Sequence, residues 1–556
     1  MHPFSDTFPI RRIYWLLLTI LIVLLYAPSI NAPFVYDDKI EVVGNTTIRY
    51  LDQWRDILLY NPARALLQLT YALNFHYGQF NPYDYHMTNI LIHIATVAAT
   101  FMCLESLAKL FKHTAALHFS IVGTAIWTLH PMATESIIYI TGRSESLCAL
   151  FSILAVGLKA KSLSENHLWL NIAAGLSLLA ACLCKEVAAV LPLLFISLEY
   201  LATGRLNKRQ SIYHLSLLGI FILLRFYVVS KSVQGASFIP TEVERPLLIQ
   251  IMTQMEVWQR YWQLWLVPIG QTIFHHIPDA DSHSIHSWGF ALGWIILLSL
   301  GWKLSTTALQ KWLWLAMILV LLPSSSIARL QENMAEHRSY QMGLYFLTYL
   351  LLFIPDKWWR SPKIFFSFSI LVASVLGMGT YQRNQVWQSE VKLWQEATIL
   401  KPQSPKAWYG LGDAHRFAKE FEPALAAFAT CVRLDEGDLD CWNNLGITHA
   451  EMNNHKAAKQ AWLSALEQNS AYCKAHTNLG FLAYQQEHWD EALVELRSTL
   501  VYCPNNVIAH YGLGLIYYRP RLDVQKAIHH FDQVLQINPN FDYASDARAK
   551  LLELTW

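Results

Sequence analysis

Asp37 and Asp38 stand side by side in the stretch Phe34-Val35-Tyr36-Asp37-Asp38, just beyond the first apolar run of the chain. A carboxylate at that place can take the proton from a hydroxyl as its oxygen attacks a carbon. Cations close by can stabilise a phosphate expelled by that attack. Arg64, Arg143, Lys185 and Arg338 each fall at the polar edge of an apolar run and are candidates for that phosphate-binding role. An Arg suits it through a planar fork of donors that matches phosphate oxygens. Adjacent carboxylates repel, so one of the pair is expected to hold its proton more tightly. In an extended backbone the two side chains diverge, which predicts one base and one orienting partner.

Further polar residues gather at the same edges: His86 and Asn89, His130 with Glu135, Glu145, Glu186 beside Lys185, and Glu336 with His337 beside Arg338. Ionisable groups in or near spans are costly and usually line a cavity or pathway, so their convergence on one face predicts one shared site. The loop holding His275, His276, Asp279, Asp281, His283 and His286 lacks a fixed metal-ligand spacing. It reads as solvated, and no metal is expected. Asn45-Thr46-Thr47 matches a glycosylation acceptor pattern.

These residues need a scaffold in two parts. The 556 residues are 54% hydrophobic and 15% charged, but the apolar runs stop near Tyr381 and polar residues spread evenly afterwards. A net charge of +1 argues against nucleic-acid binding. Spans need roughly 17–25 apolar residues, and about 11 are read near 13–30, 88–111, 118–131, 136–158, 168–184, 187–203, 212–230, 287–302, 312–328, 341–355 and 363–380. Lys and Arg occupy alternate loops, at Arg11 and Arg12, Lys109 and Lys112, Lys159 and Lys161, Arg205 to Arg209, Lys303 and Lys311, and Lys357 with Arg360 and Lys363. By the positive-inside rule those loops and the N-terminus are cytoplasmic, which leaves the acids and their companions on the outer face. The segment 247–269 is read as amphipathic or re-entrant on that face, and the outer loop 31–87 as carrying surface helices at 54–59 and 63–75.

Beyond the last span the chain repeats itself. Leu411-Gly412, Leu445-Gly446, Leu479-Gly480 and Leu513-Gly514 recur every 34 residues, with Trp408, Trp442, His476 and His510 three residues ahead of each. Ala424, Ala458, Ala492 and Ala527 mark the second helix of each unit, and Pro504 and Pro539 close the last two. This period with these residue types is the tetratricopeptide pattern of paired helices, which stack into a solenoid with a concave, peptide-binding groove. The expected organisation is a membrane domain over 1–385 and repeats over 386–556, with a partial repeat at 386–404 and full ones near 405–438, 439–472, 473–506 and 507–541. Cys431 with Cys441 and Cys473 with Cys503 fall at matching ends of the stack and are the expected disulfides if that domain lies outside the cytoplasm.

The stretches FVYDDKIEVVGN (34–45), ARALLQLTYALNFHYGQFNPYDYHMTNILIH (63–93), HPMATESIIYITGRSESL (130–147), CKEVAAVLP (184–192) and AEHRSYQMGL (335–344) together resemble bacterial relatives of the transmembrane and tetratricopeptide repeat-containing O-mannosyltransferases. The resemblance implies an all-α fold, a GT-C type membrane domain followed by a tetratricopeptide α-solenoid. It implies an inverting, metal-independent glycosyltransferase with no cofactor beyond a polyprenyl-phosphate sugar donor. The acceptor would be Ser or Thr of an exported protein held in the repeat groove. By that resemblance Asp37 and Asp38 would be the catalytic pair with Asp37 as base, and the enzyme would lie in a bacterial inner membrane with its repeats in the periplasm. Two alternatives remain open at the level of sequence: a non-catalytic membrane scaffold, and a transferase acting on a surface glycan or lipid.

Overall fold

Alternating apolar runs and short polar links produce an array of helices. The computed structural model describes residues 7–231, 246–327, 332–359, 361–519, 521–538, 541 and 543–555, and among these no strand occurs. Arg360 of the last basic loop and Pro539 of the last repeat lie outside the described residues. The chain divides into two compact units, Met1–Leu393 and Trp394–Trp556.

In the first unit the helices are α1 (Thr7–Tyr26), α2 (Trp54–Tyr60), α3 (Ala65–Gly78), α4 (Pro82–Leu110), α5 (Ala116–Thr128), α6 (Thr134–Ile138), α7 (Arg143–Glu165), α8 (Leu168–Cys182), α9 (Leu191–Thr203), α10 (Lys208–Lys231), α11 (Leu247–Leu266), α12 (Ile285–Leu304), α13 (Ala308–Leu322), α14 (Tyr340–Leu351), α15 (Asp356–Trp359) and α16 (Pro362–Trp387). Among the described residues six stretches are long and apolar enough to cross a bilayer: Arg11–Ser29, Pro82–Leu110, Arg143–Glu165, Glu186–Thr203, Ile285–Leu304 and Ala308–Ser325. The other expected spans form helices too, but α5, α8 and α14 are shorter and α10 and α16 fall outside those six. Leu16, Leu17 and Leu24 on α1, and Leu292, Ile295 and Ile296 on α12, point outward with 57–62% exposure. Outward apolar rows of that length are the surface a hydrocarbon solvent accepts.

Three local readings change. The expected span over 136–158 is broken, because the chain leaves α6 at Tyr139 and re-enters helix at Arg143. Gly142 makes this turn feasible, since a Cβ there would lie 2.6 Å from the Glu135 carbonyl oxygen. The helix expected to lie on the membrane surface, α3, instead buries Leu67, Tyr71 and Ala72 in a small core with Val42, Ile48, Ile57, Tyr85 and Ile140. Asn45 is buried, donating to Gln68 at 3.0 Å and accepting from the Thr47 backbone, so the glycosylation pattern is closed off in the folded chain.

The second unit pairs Pro405–Phe417 with Phe421–Leu434, Leu439–Glu451 with His455–Gln468, Cys473–Gln485 with Trp489–Tyr502, and Val507–Tyr518 with Val524–Ile537. The use of Trp in the first two units and His in the last two ahead of each Leu-Gly has a single cause. Trp408 and Trp442 donate their indole N–H to the carbonyls of Pro402 and Glu436, and His476 and His510 place Nε2 against those of Ser470 and Pro504, all at 2.9–3.0 Å. Each ring pins the start of its helix to the link six residues upstream, and either ring supplies the N–H. Disulfides join Cys431 to Cys441 and Cys473 to Cys503, the expected pairs. At Gly446 an added Cβ would meet Trp462 Nε1 at 2.4 Å, and that indole donates to the Asn443 carbonyl. Gly446→Ala is therefore expected to lower repeat stability by about 1–3 kcal/mol, read as an earlier thermal transition of the intact protein.

Candidate active site

The polar residues around Asp37 are set by a turn, not by an extended strand. Tyr36 adopts a left-handed backbone (φ 49°), a conformation that costs a non-glycine residue roughly 1–2 kcal/mol. The Asp37 carbonyl then accepts from the N–H groups of Ile40 and Glu41 at 3.0 and 2.8 Å. This helical turn puts Asp37 and Glu41 on one face and Asp38 on another. Asp37 is exposed while Asp38 is 1% exposed. Asp38 accepts from the N–H of Val35 at 3.1 Å and of Thr141 at 2.8 Å, which ties the loop after α1 to the link before α7. The Asp37 N–H in turn donates to the Tyr139 hydroxyl at 3.0 Å.

Asp37 faces a cavity of about 220 Å³ lined also by Tyr36, Glu41, Arg64, Glu135, Tyr139, Lys185, Glu186, Glu332, His337 and Arg338, with Val187, Ile273 and Pro323 as apolar wall. It lies where α1 and α8 finish and α7, α9 and α14 begin, so its residues come from one end of the helical array. Three of the four expected phosphate-binding cations line it. Arg64 contacts Glu186 at 3.2 Å, Lys185 pairs with Glu145, and Arg338 donates to the Glu332 carbonyl at 2.8 Å. Tyr36 reaches the Glu332 carboxylate.

The fourth, Arg143, is elsewhere. It is fully buried and donates to Asn89, Thr70, Asn74 and the Tyr85 carbonyl at 2.5–3.1 Å, beneath the Tyr71 ring. Asn89 is its partner and bonds the Ile137 carbonyl as well. His86 holds the Ala32 carbonyl at 2.9 Å. His130 caps the Met132 N–H and packs on Trp265. Glu336 is buried, accepting from Thr272 N–H and Gln271 and touching His275 at 2.8 Å. Asp38, His86, Asn89, His130, Arg143 and Glu336 thus shape the walls without lining the cavity. The His-rich loop separates accordingly: His275 is buried on Glu336, whereas His283 and His286 are not buried. Among the described residues the one close group of metal-ligating types is Cys431, Asp438 and Cys441, whose two sulfurs form a disulfide.

What positions the Glu332–Arg338 segment is α11. Gln250, Gln254, Trp258, Tyr261 and Trp265 form a stripe on its buried face and donate to the Ser325 carbonyl, the Asn333 carbonyl, Ser325 Oγ, the Ala335 carbonyl and Ser339 Oγ. The expectation of an amphipathic or re-entrant segment on the outer face does not include this part in the site; the signal for it in the sequence is the 4-4-3-4 spacing of residues able to donate. Glu41, Tyr139 and Glu332 were missed too, although Glu41 stands one helical turn from Asp37.

Burial pushes the Asp38 carboxyl up to about 7, against the pull of its two backbone N–H donors. A carboxyl raised above its unfolded value of about 3.9 lends stability that is complete below that value and lost as pH rises through 7. The melting temperature should therefore fall between about pH 4 and 7 more in the wild type than in Asp38→Asn, whose side chain does not ionise. Parallel pH profiles of the two would place the titration elsewhere.

Residues 405–438 match the family described as "Tetratricopeptide repeat", and residues 482–519 one described as "TPR repeat". The chain is 22% identical to Protein O-mannosyl-transferase TMTC3 of Homo sapiens over 502 residues, covering 79% of this chain and 53% of that protein. It is 22% identical over 422 residues to Protein O-mannosyl-transferase F38B6.6 of Caenorhabditis elegans, covering 71% and 59%. The chain is a distant relative of these proteins. It spans about half the length of TMTC3. A shorter match, 26% identical over 211 residues, joins it to TMTC4 of Homo sapiens, covering 33% of this chain and 28% of that protein.

Proposed function

We propose that this chain is a membrane glycosyltransferase that moves a sugar from a polyprenyl phosphate to Ser or Thr of an exported protein. The observation that carries the reading is the shared cavity of Asp37 with Arg64, Lys185 and Arg338. Asp37 removes the proton from the acceptor hydroxyl as its oxygen attacks the anomeric carbon. The bond to the phosphate oxygen breaks, the phosphate leaves as an anion, and the three cations stabilise it. Asp38 acts by holding the loop rather than by touching substrate.

The apolar wall of Val187, Ile273 and Pro323 suits the first isoprene units of a lipid tail. Basic loops at the opposite ends of the spans support an outward-facing site. The two disulfides support an oxidising compartment for the repeats, the periplasm outside a bacterial inner membrane. The repeats recruit the acceptor in their groove.

Mass spectrometry of exported proteins from a deletion strain tests this. Hexose adducts on Ser or Thr should vanish on deletion and return with the wild-type gene. An unchanged set of adducts after deletion would overturn the reading.

A further inference from the structure

The cavity holds a second carboxyl group that the transfer step leaves unused. Glu135 is 2% exposed and lines the cavity beside Asp37 and Arg338. Its Oε1 lies 2.6 Å from His337 Nδ1, while its Oε2 is buried and makes no hydrogen bond. A buried polar atom without a partner is costly, and because Glu135 belongs to the cavity lining, the partner its Oε2 lacks can come from what enters there.

We propose that Glu135 and His337 form a pair that reads a ring hydroxyl of the donor sugar, with Glu135 Oε2 as acceptor and His337 Nε2–H as donor. This rests on the glycosyltransferase reading above. Burial and the nearby Glu336 raise the Glu135 carboxyl well above the usual carboxylate range. Burial and Lys185 hold the His337 imidazole down to about 3. Both shifts favour the uncharged forms, and the contact at 2.6 Å holds one proton between the groups, given by the carboxyl to Nδ1. That arrangement fixes the tautomer: His337 keeps its own proton on Nε2, and Oε2 is left as a carbonyl oxygen with free lone pairs.

Such a donor–acceptor pair has no preference for phosphate and matches the two capacities of a hydroxyl. The cations of the cavity hold the phosphate; this pair distinguishes a lipid phosphate that bears a sugar from one that does not. A site built to bond a hydroxyl discriminates strongly against a ligand lacking it, because its own buried groups are then left unpaired.

The test uses the full chain in lipid nanodiscs and two ligands, a polyprenyl-phosphate hexose and the same polyprenyl phosphate without sugar. Glu135→Ala is expected to weaken the sugar-bearing lipid by about 10–100-fold and to leave the bare lipid phosphate within about twofold. Glu135→Gln, which keeps a neutral acceptor and can donate to His337 Nδ1, is expected to restore most of the sugar-bearing lipid affinity that Glu135→Ala loses. Loss of transfer in Glu135→Gln at normal donor affinity would mark Glu135 as an ionised base and overturn the proposal. Equal weakening of both lipids by Glu135→Ala, or of neither, would overturn it too while leaving the glycosyltransferase reading intact. Failure of the wild type to bind either lipid would overturn that reading and this proposal together.

Discussion

Asp37→Asn is expected to lower sugar transfer by roughly 10²–10⁴-fold, the usual worth of a positioned general base, with thermal unfolding unchanged. Asp38→Asn is expected to do the reverse in kind, losing about 1–3 kcal/mol of stability and losing activity only as the loop loosens. The two residues are adjacent and chemically identical, so the contrast rests on geometry alone. Asp37 faces the cavity and its side chain is reached by solvent. Both oxygens of Asp38 accept backbone N–H groups from opposite sides, Val35 and Thr141. An amide at position 38 offers one acceptor and turns an NH₂ group against the other N–H, so one bond is lost and two donors face each other. The measurements are initial rates with a lipid-phosphate sugar and melting curves of the same purified variants. A Asp37→Asn protein with full transfer would remove Asp37 as base. Equal destabilisation by both changes would show that the two carboxylates share a structural role.

Much of the architecture is legible because period and polarity report it directly. The Leu-Gly interval of the repeats and the apolar length of the six stretches able to cross a bilayer each follow from one physical requirement, the burial of a helix face or the crossing of a hydrocarbon layer. Acids and cations at the ends of runs are legible as a set for the same reason: charge is too costly to leave in lipid without a partner. Which member does what is not legible, since that depends on where a side chain points. Arg64 and Arg143 look alike in sequence, yet one lines the cavity and the other is enclosed by α3, α4 and α7. Asp38 points inward because a left-handed Tyr36 starts a helical turn, an event that no residue preference at Tyr signals. The stripe on α11 escaped because its Gln, Trp and Tyr residues read as interfacial, a role that polar–apolar side chains fill as readily as internal hydrogen bonding. His476 and His510 show the converse: the position was visible, and its purpose emerged with the carbonyl each ring meets.

Arg143→Met should be the most damaging single change in the membrane unit, with a stability loss of about 3–5 kcal/mol and poor recovery of folded protein. The guanidinium spans three helices: Nη1 donates to Thr70 and Asn74 on α3, Nη2 to the Tyr85 carbonyl and Nε to Asn89 on α4, and the residue itself begins α7. Methionine fills much of the volume but leaves the Asn74 and Asn89 side-chain oxygens buried without the donor they have here, each costing about 1–3 kcal/mol. Arg143→Lys should be little better, because one ammonium cannot span the fork that a guanidinium presents in a fixed plane. The Tyr71 ring, 4.9 Å from the guanidinium carbon, would lose its cation as well in the Met variant. Arg338→Met provides the comparison, since Arg338 lines the cavity: its loss should weaken donor binding by an order of magnitude or more with a much smaller shift in melting. Thermal aggregation curves in detergent, read beside donor affinity, separate the two arginines. An Arg143→Met protein that melts like wild type and binds donor poorly would return Arg143 to the phosphate, and the buried hydrogen bonds described here would have to be dispensable.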